Sequence, residues 1–239
     1  MSGTRKPLKK ATGRLGTQLR GKLQDDYAGR GKSKYRLWYA YSSKAQADVL
    51  LHGDPRYFHF LLVESDPDVK TANYNVQARA MQIAGEELGQ IVDAELHMAD
   101  NSVVWRCVRA EETSSVATKV DHLHLLVGQR VHRDLPSRVE VLTAAEITSN
   151  PMRIQNWNRL LPYLGQARAW PLNEFGNEVA TLIHTRDEVA LCDVVALAEP
   201  GREALYVAAL LQGVQVGRYL SNLNEKPWGL GSRFWGARR

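Results

Sequence analysis

Two stretches restrict the folds open to this chain more than its composition does. Phe58-His-Phe-Leu-Leu-Val-Glu-Ser-Asp-Pro-Asp-Val69 reads as a helix that ends in a turn and runs on into a strand. Asp93-Ala-Glu-Leu-His-Met-Ala-Asp-Asn-Ser-Val-Val-Trp-Arg-Cys-Val-Arg109 reads as two strands joined by a tight Asp100-Asn101 turn. A helix followed closely by paired strands calls for an α/β core in which helices cover a sheet.

The rest of the chain punctuates clearly. Tyr35-Arg-Leu-Trp-Tyr-Ala-Tyr41 is aromatic-rich and strand-like, whereas Ser43 to Leu51 is helix-prone and ends at Gly53-Asp54-Pro55. Pro55 is suited to open the next helix, because the first helical position needs no N–H. Val69 to Val76 is expected as a strand, and Arg79 to Leu88 as a helix with Gly89 as its C-cap. Strands are expected at Ile91–Met98, Val103–Val108 and Val120–Val127, then at Val139–Leu142. Thr143-Ala-Ala-Glu146 has capping-box spacing, and Pro151 opens a helix through Trp157 and Leu161. From Asn173 onward three helices are expected before Val214–Leu220, a strand or wing.

Charge is unevenly placed. Residues 1–36 carry Arg5, Lys6, Lys9, Lys10, Arg14, Arg20, Lys22, Arg30, Lys32, Lys34 and Arg36 against Asp25 and Asp26, a surplus of nine in a chain whose net charge is +5. A basic, aliphatic-poor arm before a mildly acidic body suits a segment that is disordered alone and ordered on a polyanion, with a solubilising tail as the bland alternative. The same ten Lys and Arg of residues 1–34 are the candidate DNA contacts. The last segment, with Trp228, Phe234 and Trp235 among basic residues, suits either nucleic acid or docking on a partner protein, docking being preferred. No apolar run has the roughly 18 to 20 residues of a membrane span, and no signal-peptide pattern precedes the arm. Cys107 and Cys192 lie far apart with no C-x-x-C spacing, which fits a reducing, cytoplasmic setting.

The order of elements in residues 56–109 resembles TnsA, the endonuclease subunit of Tns-type heteromeric transposases, whose core belongs to the PD-(D/E)xK nuclease class. In that pattern a Glu lies about ten positions before an Asp-Pro; here Arg56 stands before Asp66-Pro67. The family's Gln falls on Asn73, its metal-binding Asp on Asp93, and its Glu-x-Lys on Cys107-Val108-Arg109. Val141–Ile147, Asn156–Leu161, Glu188–Leu197 and Glu203–Val214 resemble the segment linking the two TnsA domains and the winged-helix half. The resemblance covers about residues 35 to 224. It implies a restriction-endonuclease-like mixed sheet core over 35–137, a small winged-helix-like domain over 138–224 and a basic aromatic tail over 225–239, behind the arm of 1–34.

One acid of the catalytic set remains, Asp93. Mg²⁺ needs hard oxygen ligands, Cys107 is a soft donor, Arg56 would repel the ion, and Arg109 lacks the compact ammonium of a Lys. The reading is therefore a TnsA-like subunit that binds transposon DNA and partners but has lost strand cleavage and needs no cofactor. By resemblance the partners are a DDE-type transposase subunit (TnsB-like) and an AAA+ regulator (TnsC-like). One alternative is an active Mg²⁺-dependent nuclease with rearranged ligands. Glu95 shares a strand face with Asp93, whereas Glu64 lies about 12 Å along the helix from Arg56. Another is a winged-helix regulator, although Glu203–Gln212 is nearly free of Lys and Arg. His122 and His124, with His132 nearby, are read as polar-face residues of an exposed strand rather than metal ligands.

Overall fold

The computed structural model describes residues 36–109, 114–129 and 134–237. The candidate DNA contacts of residues 1–34 lie outside these. The described chain is mixed α/β with three sheets. A first hairpin pairs β1 (Leu37–Ser42) with β2 (Ala47–His52) in antiparallel register. The helix expected over Ser43–Leu51 is therefore absent. Its first residues form the hairpin turn, where Gln46 takes φ 51° and the Ala45 N–H donates to Ser42 Oγ at 2.8 Å. Ala, Lys and Gln are good helix formers, but propensity differs by only tenths of a kcal/mol per residue, and strand pairing overrides it.

Helix α1 (Asp54–Glu64) opens with Pro55 in its first turn and leads into β3 (Val69–Asn73). The helix expected from Arg79 divides at Gly85, φ 88°, into α2 (Gln77–Ala84) and α3 (Glu86–Gly89). Gly89 is fixed by close approach, since a Cβ there would fall 2.2 Å from the Met81 backbone nitrogen. Then come β4 (Ala94–Met98), the Asp100-Asn101 turn with Asn101 at φ 66°, and β5 (Val103–Arg109). Helix α4 (Ser114–Gly128) carries the chain over to β6 (Arg138–Thr143), which pairs parallel with β5.

The sheet order is β3-β4-β5-β6, antiparallel except for its last pair. Residues 120–127 are thus helix and not the expected strand, because two parallel neighbours need a crossover between them. His122 and His124 stand about 200° apart around that helix, so they share no face. The expected boundary between residues 137 and 138 falls inside the sheet, since β6 belongs to it.

The Thr143–Glu146 capping box forms as its spacing predicts, with Thr143 Oγ1 accepting from the Glu146 N–H, at the start of α5 (Ala144–Ile147). The remainder is α6 (Pro151–Ala167), α7 (Asn173–Arg186), β7 (Glu188–Ala190), α8 (Leu191–Val195), α9 (Glu203–Gln215), β8 (Tyr219–Ser221) and β9 (Arg233–Gly236). Their strands form a sheet ordered β7-β9-β8. Helix α9 is buried along Tyr206–Leu211 and Gly213–Gln215, and a Cβ on Gly213 would meet the Tyr219 ring at 2.2 Å.

The expected tail is not a tail. Within it, β9 is the central strand of that sheet, Phe234 is fully buried, and Trp228 packs edge-on against Tyr163 and Phe234. Large aromatic surfaces are worth more inside a core than on a free peptide, and the β7 and β8 edges offered this strand two partners. Trp228 and Phe234 therefore serve internal packing, and Trp235 is half-buried on the same strand.

The largest core joins the two expected domains, with Tyr57, Phe60 and Leu61 of α1 packed among α6, α7 and α9 residues. Buried Asn156 ties the region down: its amide donates to the carbonyls of Leu223 (2.7 Å) and Lys226 (2.8 Å), and its oxygen accepts from the Trp228 N–H at 2.8 Å. No helix among the described residues is long and apolar enough to cross a membrane. Asn156→Ala would leave three backbone groups without their partner, so urea unfolding is expected to show a loss of about 3 kcal/mol.

Candidate functional site

Asp93, Arg56 and Arg109 come from three separate segments and meet at one point. Asp93 precedes β4, and its N–H donates to the Arg106 carbonyl at 2.8 Å, which fixes the residue beside the end of β5. Arg56 lies in the first turn of α1, and Arg109 is the last residue of β5. Asp93 Oδ1 accepts from Arg56 Nε at 2.6 Å. Oδ2 accepts from the Val108 N–H at 2.6 Å and from Arg109 Nη1 at 3.2 Å. The carboxylate is 4% exposed, so taking it from water demands this compensation.

The two arginines are held differently. Arg109 is 11% exposed; its guanidinium also donates to the carbonyls of Val108 and Ile91, while its Nε is buried without a partner. Arg56 is 41% exposed and donates to the His52 carbonyl at 3.2 Å, so its charge reaches solvent. Cys107 turns into a core with Val76, Trp105 and Leu123. Burial pushes its thiol up to about 12, against the pull of the Arg109 charge and with a small upward push from Asp93. It stays a neutral thiol at physiological pH.

Glu95, two residues after Asp93 and within β4, is also occupied. It accepts from Arg79 on one oxygen and from the Trp105 indole N–H at 2.8 Å on the other. Asn73 Oδ1 accepts from the Asn75 N–H at 2.9 Å, closing its own turn. Glu64 lies at the far end of α1, where Ser42, Ser43 and Gln215 surround it. Among the described residues no three His, Cys, Asp or Glu side chains are grouped to hold a metal ion.

The donor set does not fit Mg²⁺. An ion here would have to displace two guanidiniums from Asp93 and would find a neutral thiol where a second carboxylate is needed. The arrangement can hold an anion more readily than a cation: Arg56 presents a partly free guanidinium, a group suited to phosphate oxygens.

Sequence reading identified Asp93, Arg56 and Arg109 as one site but missed Arg79. Counting back from the Asp100-Asn101 turn would have set Glu95 opposite Trp105, as the register has it. No protein-family model matches the chain, and no curated protein matches it.

Asp93→Asn removes the counter-charge from buried Arg109 and is expected to cost about 3 kcal/mol in chemical denaturation, with less of it from the more exposed Arg56. Thiol reactivity offers a separate check. Iodoacetamide at pH 8 should modify exposed Cys192 and spare Cys107 in the native protein, both reacting after unfolding, as read by peptide mass spectrometry.

Proposed function

We propose that this chain is a TnsA-like subunit of a DNA transposition complex that binds transposon DNA and partner proteins but no longer cuts. One observation carries the reading. Arg56 and Arg109, chosen with Asp93 by resemblance, each donate a hydrogen bond to the Asp93 carboxylate. The same ion pairs also compensate the buried Asp93 carboxylate, so it is the match to the family's positions, and not the pairing alone, that supports the reading.

The fold supports the same reading. A mixed sheet flanked by α1 and α4 is what a restriction-endonuclease-like core requires. The run α7-β7-α8-α9-β8-β9, with its β7-β9-β8 sheet, suits a winged-helix-like half. In such a core the Arg56–Asp93–Arg109 cluster occupies the place of the catalytic ions. The arginines supply positive charge without a metal, so the site can face a phosphate but has no set of carboxylates to activate water. The side chains present support a reading in which cleavage has been lost.

The basic residues 1–34 supply phosphate affinity in this reading, and each contact raises the salt sensitivity of binding. The TnsB-like transposase and TnsC-like regulator are the partners it implies, and a cytoplasmic setting goes with it. The winged-helix regulator is weaker, because α9, the helix that would enter the major groove, is buried within the molecule.

The test is cleavage of labelled transposon-end DNA in Mg²⁺ or Mn²⁺, with and without a DDE-type partner. Wild type and Asp93→Ala are both expected to leave the strands intact, with DNA binding kept by wild type. Metal-dependent cutting that disappears in Asp93→Ala would instead establish the active nuclease. Deleting residues 1–34 should flatten the dependence of DNA affinity on salt; an unchanged slope would remove that segment from the argument.

A further inference from the structure

The sheet β7-β9-β8 has one face in the core and one outside it. Val189, Phe234 and Tyr219 belong to the inner face and are buried. The register puts Glu188 and Leu220 opposite Trp235 on the outer face, with Arg233 two residues back along the same strand. Trp235 is half-buried on the central strand, yet it is not packed against the core that takes in Phe234 and Trp228. Leu220 beside it is 45% exposed. The next rungs out are closed by the Ala237 N–H donating to the Arg218 carbonyl at 3.1 Å and the Asn222 N–H to the Arg233 carbonyl at 3.2 Å. A cation thus lies on each side of the Trp235–Leu220 pair, the two outer rungs being roughly 14 Å apart at the rise of an antiparallel strand. Arg218 is exposed and has no ion pair among the described residues. Arg233 has Glu188 at 3.7 Å, but both side chains are more than half exposed, so that contact holds its charge only weakly.

We propose that this outer face is a stacking platform for a single strand of nucleic acid, with a base on the Trp235 ring and flanking phosphates on Arg218 and Arg233. The inference rests on the DNA-binding reading above and names the form of nucleic acid and the surface that takes it. Cation, flat ring, cation is the order such a strand needs, because phosphates flank each base along the backbone. Guanidiniums suit phosphate oxygens, and an indole accepts the π face of any base. Strand β9 is hydrogen-bonded on both edges, so the ring is presented from a rigid backbone. A duplex fits poorly, since its bases are already stacked on one another. Flatness argues against a peptide: partner helices and strands anchor side chains in grooves, whereas the cavities of about 130, 230 and 340 Å³ are lined by other residues. Charge argues against a second copy, which would set two arginines against two more with one acid from each side to offset them.

The experiment measures binding of the full-length chain by fluorescence anisotropy to four labelled 12-mers: single-stranded oligo-dT, an abasic strand of equal charge, a duplex, and oligo-glutamate. Wild type should bind oligo-dT about tenfold tighter than the abasic strand, the size of one base–aromatic stack. Trp235→Ala should erase that preference and leave abasic and duplex affinity unchanged, whereas Trp235→Phe should keep most of it. Leu220→Glu, at an exposed position, should also erase it by setting a carboxylate beside the ring, with circular dichroism confirming that the variants fold. Arg218→Ala should lower the slope of log affinity against log salt on oligo-dT by about 0.7, the share of one phosphate contact. Equal affinity for oligo-dT and the abasic strand overturns the proposal, as does a preference that survives Trp235→Ala or Leu220→Glu, or a slope that Arg218→Ala leaves unchanged. Oligo-glutamate bound as tightly as oligo-dT, and released by Leu220→Glu, would assign the face to an acidic peptide and overturn it. Self-association of wild type in sedimentation that Leu220→Glu abolishes would assign the face to a second copy, with the same consequence. Duplex binding without any preference for bases would leave the DNA-binding reading standing, whereas no binding to any nucleic acid would overturn both.

Discussion

Among the described residues, the carboxylates of Asp93, Glu95 and Glu64 lie almost wholly inside the protein, and the need to compensate each of them governs how its segments meet. Asp93 and Glu95 are 4% and 3% exposed at the side chain, and Glu64 is buried completely. An ionised group without partners in such a place would cost several kcal/mol. Each therefore gathers donors from more than one element. Asp93 draws α1 and the end of β5 together, Glu95 draws α2 onto the sheet, and Glu64 joins the β1–β2 turn to α9 through Ser42, Ser43 and Gln215.

Helix α1 is the element on which these demands coincide. Its first turn offers Arg56 to Asp93, and its last residue is Glu64. Between them Phe60 and Leu61 are fully buried, in a core shared with α6 and α9. Polar ends fix the direction and register of the helix, while its apolar middle supplies most of the burial. The chain thus cannot be divided at residue 138 without cutting both a sheet and a core. The Arg–Asp–Arg contacts tie the first turn of α1 and the end of β5 to the segment that enters β4.

Charge and apolar surface are distributed differently over the molecule. The basic surplus lies in residues 1–36, whereas α9 is occupied with packing.

Local signals were legible wherever short-range chemistry decides the backbone. Pro55 and Pro151 at helix starts, the Thr143–Glu146 box and the Asp100-Asn101 turn all act within a few residues, and each forms as read. The grouping of Asp93 with Arg56 and Arg109 was legible through a pattern of positions, without their distances. What lay beyond the sequence depended on partners distant along the chain. Residues 43–51 and 120–127 exchanged helix and strand because pairing of β1 with β2, and the parallel crossover from β5 to β6, outweigh propensities of a few tenths of a kcal/mol per residue. Trp228 and Phe234 look like free anchors in a linear reading. Only the tertiary structure supplies the two strand edges and the aromatic neighbours that take them inside, because burial is a property of the assembled fold rather than of any residue in it.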